Sequence, residues 1–371
     1  MRLCFVFSAH YRIFVSNNEQ MGENGMKRAL ICSLSLRHRL AALLLGAVLA
    51  PGAAGVAVAQ SSLRVVEWNV ENLFDCEHDS LKDDYALLPD GAHHWTRTRY
   101  WRKLNRVGQT LIACGGEDGA EGERGRWRLP DLVGLCEVEN DTVMRDLTKR
   151  SLLRKARYEY VMTSSPDVRG IDVALLYSPF TFRLVGSHAI RVAPLRDMRP
   201  TRDILYACGE VLSGDTLHVF VVHAPSRTGG EGATRANRLR VADRLVQSLD
   251  SVRQASPGAK VLVMGDFNDY AGDASLKLIC GHGMTNVSEG ARGRNGARGT
   301  YRWQGEWGSL DQMLVSNNMG SRVRWCRIFD APFLLEEDTK YGGVKPRRNY
   351  LGPRYLNGFS DHLPLVSEIA F

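Results

Sequence analysis

The stretch VLVMGDFNDY at residues 261–270 begins as an apolar run and ends with three polar side chains within four positions. An apolar, β-branched run of this length predicts a buried strand. Asp266, Asn268 and Asp269 follow at the point where the strand should give way to a turn. A simple turn is one interpretation, because Asp and Asn side chains hydrogen-bond to nearby backbone. The other is that the strand delivers a carboxylate and an amide to a functional site.

Short apolar runs of the same kind recur along the chain, and each has the length and composition of a strand. They lie at residues 63–70, 131–138, 158–163, 171–178, 217–224, 260–267, 310–316 and 363–371. Helical periodicity occupies residues 99–114 and 233–253. No internal repeat or long linker divides residues 60–371, so we predict one domain there, with stacked sheets covered by helices.

Residues 1–59 have the features of a leader that includes a signal peptide. A positively charged segment at 26–39 precedes an apolar stretch at 40–50, which is too short to cross a bilayer comfortably. Ala57 and Ala59 have the A-x-A spacing of a cleavage site. We therefore predict cleavage after Ala59, export to the periplasm or the exterior, and no membrane span in the mature protein. An uncleaved anchor is the alternative.

The composition is that of an ordinary globular protein, with 44% hydrophobic and 24% charged residues. It excludes a disordered or collagen-like chain. The formal net charge is +7, but residues 1–59 carry six basic and two acidic side chains. Four of the seven excess positive charges therefore lie in the leader and three in the rest. The basic balance is thus only weak evidence for a nucleic-acid partner.

Six cysteines follow the leader. They are Cys76, Cys114, Cys136, Cys208, Cys280 and Cys326. An even number of cysteines in an oxidising compartment permits disulfides, but no C-x-x-C spacing indicates a zinc or thioredoxin-like site. Cys136 lies within an apolar strand pattern and is therefore predicted to be a buried free thiol.

Polar side chains occupy the ends of several predicted strands. They are Asn69, Glu71, Glu137, His223, Asp266, Asn268, Asp311, Asp361 and His362. Each one alone can be explained as a turn, a cap or a solvated side chain. Together they supply what metal-assisted hydrolysis of a phosphoester requires, and loops at the ends of a rigid sheet are where such sites form.

The metal requirement is met by oxygen ligands. Mg²⁺ prefers carboxylate and amide oxygens in octahedral geometry and keeps several of its waters. Asn69, Glu71 and Glu137 offer such oxygens at the ends of two predicted strands. These residue types therefore predict a magnesium site.

The catalytic requirement is met by the remaining strand ends. Asp311 can hold His362 as a base or an electrostatic partner, if the fold brings the two together. Asp266 can orient the attacking water, and Asn268 can donate to a phosphoryl oxygen. Phosphodiester cleavage is therefore the chemistry that this set of residues favours.

The order and sequence of these strand ends resemble the motifs of the endonuclease/exonuclease/phosphatase superfamily, of secreted bacterial type, with the deoxyribonuclease-I-like fold. The motifs are WNVEN (68–72), GLCEVEN (134–140), VVHAPSR (221–227), MGDFND (264–269), SLDQMLVS (309–316) and SDHLP (360–364). The resemblance covers nearly the whole chain after the leader. It implies a four-layer α/β/β/α sandwich, in which two mixed β-sheets pack face to face with helices outside.

The resemblance also implies a Mg²⁺- or Mn²⁺-dependent phosphoester hydrolase and assigns roles to the matching residues. The implied metal ligands are Asn69, Glu71, Glu137 and Asp361. The implied catalytic residues are His223, Asp266, Asn268, Asp311 and His362. Cys136 departs from the pattern, because the family usually has Gln at this position, and one hydrogen bond near the metal is expected to be missing.

The substrate does not follow from the fold, because the superfamily cleaves DNA, RNA, phosphoinositides, sphingomyelin and small phosphoesters. Arg347 and Arg348 lie among tyrosines shortly before His362, and Arg227 follows His223. We expect these arginines to bind phosphate, with a solvated surface as the alternative. The prediction is a secreted, monomeric endonuclease acting on DNA or RNA. A phosphatase or phosphodiesterase of small or lipid phosphoesters is the alternative, and a binding module with an inactive site is a third hypothesis.

Overall fold

The computed structural model describes residues 62–116 and 127–371. The predicted leader and its cleavage after Ala59 lie outside these residues, as does most of the glycine-rich segment that follows Cys114. Within the described ranges, no helix combines the length and the apolar character needed to cross a lipid bilayer.

The secondary structure of the described residues consists of 18 strands, four α-helices and a few short helical turns. The strands are β1 Ser62–Leu73, β2 Leu132–Val138, β3 Glu159–Met162, β4 Asp172–Tyr177, β5 Phe182–Ile190, β6 Ile204–Val211, β7 Thr216–His223, β8 Lys260–Asp266, β9 Met284–Asn286, β10 Tyr301–Trp303, β11 Glu306–Gly308, β12 Asp311–Ser316, β13 Val323–Ile328, β14 Leu335–Glu337, β15 Val344–Pro346, β16 Tyr350–Leu351, β17 Arg354–Tyr355 and β18 Leu365–Ala370. The helices are α1 Arg97–Ala113, α2 Asp141–Arg145, α3 Glu231–Ala255 and α4 Ala274–Gly281.

Two six-stranded mixed sheets form the centre of the fold. Sheet 1 has the strand order β13-β18-β1-β2-β4-β3, and sheet 2 has the order β5-β6-β7-β8-β12-β9. Each sheet contains one parallel pair, β1 with β2 and β7 with β8, and its other pairs are antiparallel. Parallel neighbours need a long crossover connection. Helix α1 provides it in sheet 1 and α3 provides it in sheet 2.

Side-chain alternation along β8 shows how the layers stack. Leu262 and Met264 belong to the core between the two sheets. Val261 and Val263 belong to a second core, which they form with Leu245 of α3 on the outer face. The predicted arrangement of two mixed sheets with helices outside is therefore confirmed, and the polar residue that ends β8 points between the sheets.

The strands and helices predicted from the sequence are all present, with ends that differ by at most three residues. The sequence did not predict four strands of the large sheets, β5, β6, β9 and β13, nor the short strands β10, β11 and β14 to β17, nor helices α2 and α4. Strand β5 is an edge strand whose side chains are mostly exposed. Its sequence therefore lacks the continuous apolar run by which buried strands are recognised.

Gly265 precedes Asp266 and allows β7 to approach β8 closely. Its φ is +148°, and a Cβ atom at this position would lie 1.8 Å from the carbonyl oxygen of Val222. Only glycine tolerates both the dihedral angle and the contact. The close pairing that results places His223 directly opposite Asp266.

We expect Gly265→Ala to destabilise the protein by about 2 kcal/mol or more, because the added methyl group forces backbone strain at the β7–β8 pair. Denaturant unfolding measures the change. The matched control is Gly186→Ala in β5, where an added Cβ would meet no heavy atom within 4 Å. If both variants lose the same free energy of unfolding, the close approach of β7 at Gly265 is not what requires glycine at this position.

Candidate active site

Three predicted site residues form one row across sheet 2. His223 of β7 is in register with Asp266 of β8, which is in register with Asp311 of β12. All three side chains are buried. Nε2 of His223 lies 3.6 Å from Oδ2 of Asp266. The row therefore places an imidazole and two carboxylates side by side on the inner face of the sheet.

Sheet 1 contributes the ends of β1 and β2 to the same place. Nδ2 of Asn69 donates to Oδ2 of Asp266 at 3.0 Å. Oε1 of Glu137 lies 4.0 Å from Nε2 of His223. These contacts join residues of different sheets, so the polar strand ends of both sheets meet at one point.

His362 completes the group from the loop that leads into β18. Its Nδ1 lies 2.7 Å from Oδ2 of Asp311. Because a carboxylate only accepts, Nδ1 carries the proton in this hydrogen bond. Ser360 fixes the loop, since its hydroxyl donates to the carbonyl of Asn69 at 2.7 Å and accepts from the backbone N–H of His362 at 3.1 Å. The fold thus brings Asp311 and His362 together, as the predicted pair required.

The backbone is strained where the strands end. Glu71, Glu137 and Asn268 have positive φ angles of 53°, 65° and 49°. Left-handed conformations are uncommon for residues other than glycine and cluster at functional sites. The strain therefore marks the three turns that carry predicted site residues.

Asn69 and Glu71 make local hydrogen bonds as well as lining the site. Oδ1 of Asn69 accepts from the backbone N–H of Glu71 at 3.0 Å. The Glu71 carboxylate accepts from the backbone N–H groups of Asn349 and Tyr350, at 2.6 and 3.1 Å. Glu71 therefore also fixes the loop that precedes His362.

Glu137 and Asp361 each have one oxygen that accepts a hydrogen bond. Oε2 of Glu137 accepts from the backbone N–H of Asn72 at 2.9 Å, and Oδ2 of Asp361 accepts from Arg348 at 3.0 Å. The structure gives neither residue's second oxygen a hydrogen bond from the described residues. Both carboxylates line the same cleft and can present those oxygens to a cation.

The site opens into a cleft of about 880 Å³. The residues lining it include Asn69, Glu71, Glu137, His223, Asp266, Asn268, Asp361 and His362. Arg227 and Arg348 also line it, as expected of phosphate-binding residues. Arg347 does not, because its guanidinium lies over the Phe359 ring at 5.9 Å. The structure therefore does not bring Arg347 to the cleft together with Arg227 and Arg348.

The cleft arginines differ in their acidic partners. Arg227 pairs with Glu231 at 2.7 Å, and Arg348 pairs with Asp361 at 3.0 Å. Arg169 also lines the cleft, and no carboxylate of the described residues lies within 4.0 Å of its side chain. Arg169 was not predicted from the sequence. Its position just before β4, in the loop that ends beside the site, was the available signal.

A family model described as the endonuclease/exonuclease/phosphatase family matches residues 64–370 of the chain. The chain belongs to this family. Its members are phosphoester hydrolases that use divalent metal ions. No match was found among curated protein sequences.

Solved structures of the same fold support the family's architecture. A family protein from Bacteroides thetaiotaomicron is 16% identical, with a TM-score of 0.53, and the match covers 84% of this chain and 98% of the other. A mannosyl-6-phosphatase from the same species is 16% identical, with a TM-score of 0.54 and coverage of 83% and 100%. D. rerio TDP2 complexed with a single-strand DNA product is 17% identical, with a TM-score of 0.50 and coverage of 84% and 100%. At these identities the likeness shows the fold alone.

Two sets of residues in this family member can be considered for a cation. Ligand atoms of Asp266, Asp311 and His362 lie within 4.8 Å of one another. However, Nδ1 of His362 is already bound to Asp311. Mg²⁺ prefers oxygen ligands. The predicted set therefore fits this cation better, because Glu137 and Asp361 each have one carboxylate oxygen that accepts no hydrogen bond from the described residues.

Glu67 is a buried carboxyl of β1 that the sequence analysis missed. Neither of its oxygens, nor Oδ1 of Asp311, has a hydrogen-bond partner among the described residues. Burial raises the pKa of Glu67 well above its usual value, and the carboxylates of Asp311 and Asp266 raise it further. A divalent cation would favour the ionised forms of such a group of buried carboxyls, so these acidic groups and their unpartnered oxygens fit a metal. Strand alternation from Asn69 was the signal that could have found Glu67.

The ionisable groups of the site are held in different protonation states. Burial would lower the pKa of His362, but the Asp311 carboxylate and its hydrogen bond raise that pKa well above the usual value. Burial raises the pKa of Asp266 to about 7, against the opposing effect of His362. Burial, with Arg202 nearby, lowers the pKa of His223 well below its usual value. The Asp311 carboxylate therefore favours the protonated form of His362, and burial favours the neutral form of His223.

Cys136 lies beside this site, at the position where the family usually has Gln. It is fully buried, as predicted, and its thiol donates to the carbonyl of Val222 in sheet 2 at 3.4 Å. The six cysteines of the described residues are all free in the structure. The disulfides that their even number permitted are therefore not formed among the described residues.

We expect Asp311→Asn to lower the pKa of His362, because the Asp311 carboxylate is what outweighs burial. The ring should then lose its proton at a lower pH than in the wild type. Titration of the histidine ring signals by NMR in EDTA measures this shift. His218, which lies on sheet 2 next to Tyr206, is the internal reference and should titrate unchanged. An unaltered His362 titration would contradict the assigned pair.

Proposed function

We propose that the protein is an exported, monomeric, divalent-metal-dependent phosphodiesterase that acts as an endonuclease on DNA or RNA. The observation that supports it is the meeting of Asn69, Glu137 and His362 from sheet 1 and its loop with Asp266 and Asp311 from sheet 2. Phosphoester hydrolysis follows from the family. We propose four further points that the family does not specify: the substrate, the metal, export and the monomeric state.

The residues that would hold Mg²⁺ or Mn²⁺ are Asn69, Glu71, Glu137 and Asp361. When bound, the cation would supply positive charge to the phosphoryl oxygens and lower the barrier to attack by water. The chain's own contribution is to fix these side chains. Strained strand ends hold Glu71 and Glu137, and the hydrogen bond from Arg348 holds Asp361.

We assign proton transfer to Asp266 of sheet 2 and to His362, which is hydrogen-bonded to Asp311. Asp266, with a pKa of about 7, is suited to orient the attacking water and accept its proton. His362 is anchored through Nδ1 to Asp311, so its Nε2–H can donate to a phosphoryl or leaving oxygen. One N–H of the Asn268 amide donates to the carbonyl of Ala224 at 3.1 Å. The other can donate to the phosphate.

The choice of a nucleic acid rests on the lining of the cleft. Arg169, Arg227 and Arg348 surround a space large enough for more than a single phosphoester group. Arginine binds phosphate oxygens bidentately, and several such contacts suit a polyanion. The alternative is a phosphatase or phosphodiesterase of small or lipid phosphoesters. The fold permits it, since one protein of this fold is a mannosyl-6-phosphatase.

We expect the purified mature protein to hydrolyse single- or double-stranded nucleic acid in Mg²⁺ and to lose this activity in EDTA. The parallel substrates are RNA, a generic phosphodiester and a sugar phosphate. His362→Ala should reduce turnover at least ~10²-fold with folding intact, the scale of lost general acid–base catalysis. His282→Ala, an exposed histidine at the end of α4, is the control. Wild-type turnover in His362→Ala would show that the site is wrongly assigned.

We expect Arg169→Ala to weaken binding of nucleic acid and to reduce the slope of log affinity against log salt by about one. The reason is that this guanidinium has no acidic partner within 4.0 Å among the described residues and can neutralise a phosphate. Fluorescence anisotropy over a range of salt concentrations measures the slope. Arg347→Ala removes a charge that lies outside the cleft and should leave the slope unchanged. Equal slopes for both variants would favour a small substrate.

A further inference from the structure

Trp303 is a large aromatic side chain at the cleft that the proposed mechanism does not use. It is the last residue of β10, it lines the cleft, and it is 61% exposed. No aromatic ring or cationic side chain of the described residues stacks on it. An exposed indole beside a functional cleft offers a large, rigid surface for a planar ligand.

The hairpin formed by β10 and β11 holds Trp303 in place. The neighbouring Arg302 side chain is largely buried and donates to the carbonyls of Gly305 and Gly342, at 3.0 and 2.8 Å. It also pairs with Asp338 at 3.4 Å. These bonds tie the hairpin to the turn that precedes β15. A ligand would therefore meet a platform that needs little ordering on binding.

The same hairpin contacts the catalytic histidine. Tyr301 forms a β-bridge with His362, and the two ring centroids are 4.9 Å apart. Because side chains two positions apart lie on the same side of a strand, Tyr301 and Trp303 share one face of β10. Their spacing along the strand is about 7 Å. A group stacked on Trp303 would thus lie next to a phosphate held at His362.

The other exposed aromatic residue of the cleft does not offer an open face. Tyr270 is covered by the Arg227 guanidinium, 4.5 Å from its ring centroid. Its ring also approaches Gly308 of β11 so closely that a Cβ there would lie 2.5 Å from the Cε1 atom. Trp303 is therefore the better candidate for stacking.

We infer that Trp303 stacks on an unpaired nucleobase next to the scissile phosphate, so that the substrate class of this cleft is single-stranded nucleic acid. The inference rests on the proposed phosphodiesterase function. Every base has a π-face that an aromatic side chain can bind. In a duplex both faces are already stacked, and exposing one base costs unstacking and unpairing energy. A sugar phosphate offers no such planar ring.

Binding tests the inference without turnover. In EDTA, a labelled single-stranded oligonucleotide should bind Trp303→Ala at least about fivefold more weakly than wild type, the lower end for one base–aromatic stack. Trp303→Phe should recover part of the loss. Trp127→Ala is the matched control, since Trp127 is 54% exposed but does not line the cleft. Equal binding by Trp303→Ala and Trp127→Ala would overturn the inference.

The same oligonucleotide with abasic residues identifies the contacted group. Wild type should bind it more weakly than the parent, and Trp303→Ala should bind both oligonucleotides equally. In Mg²⁺, Trp303→Ala should raise KM for the parent oligonucleotide with a smaller change in kcat. Wild type should also prefer the single strand to its duplex. Base stacking would be contradicted if Trp303→Ala lost the same affinity for the abasic oligonucleotide as for the parent. It would also be contradicted if wild type bound the duplex more tightly than the single strand.

A lipid surface is the competing use of an exposed indole. Phosphatidylcholine vesicles containing phosphatidylserine should bind wild type and Trp303→Ala alike, and binding lost only in Trp303→Ala would overturn the inference. Failure of the proposed function is a separate result. It would appear as absence of phosphodiester hydrolysis by wild type in Mg²⁺, while the binding experiments in EDTA still decide the role of Trp303.

Discussion

Hydrogen bonds between the two sheets hold the candidate site together. The amide of Asn69 in sheet 1 donates to Asp266 in sheet 2, and His362, which leads into sheet 1, donates to Asp311 in sheet 2. Both bonds are buried. Losing one partner would leave the other unsatisfied, at a cost of about 1–3 kcal/mol. The apolar inner faces behind them set the sheet separation, so packing of the core fixes the distances between candidate site residues that come from separate segments.

This convergence concentrates acidic groups where water is excluded. Burial raises the pKa of Glu71 to about 7, and the nearby carboxylate of Asp361 adds to the effect. Lys103 of α1 lies buried beside them, and burial lowers its pKa to about 8 although Glu71 opposes the change. The cationic groups of this cluster are Lys103, Arg348 and His362, and they are outnumbered by its carboxyls, which are Glu67, Glu71, Glu137, Asp266, Asp311 and Asp361. The charge imbalance is the physical reason that the fold suits a divalent cation, and it couples cation binding to the stability of the folded state.

The sequence predicted those elements whose signal is local. Strands buried on both faces, such as β8, read as continuous apolar runs, and a polar residue at such a strand end is conspicuous. Strand β5 gave no such signal, because it forms through pairing with β6 at an exposed edge. Loop side chains were the least predictable. Arg347 and Arg348 are adjacent in sequence, yet one packs on Phe359 and the other lines the cleft. A loop has no periodicity that could have separated them.

Strands and loops therefore determine different properties of this protein. Core strands place Asp266 and Asp311 and cannot change without disturbing the packing between the sheets. The hairpin of β10 and β11 lies outside both large sheets, so its exposed residues can vary at little cost to the fold. It still reaches the candidate site, because Tyr301 contacts His362 directly. Binding energy gained at Trp303 can thus position a phosphate at His362, and remote binding energy used for positioning accelerates the chemical step.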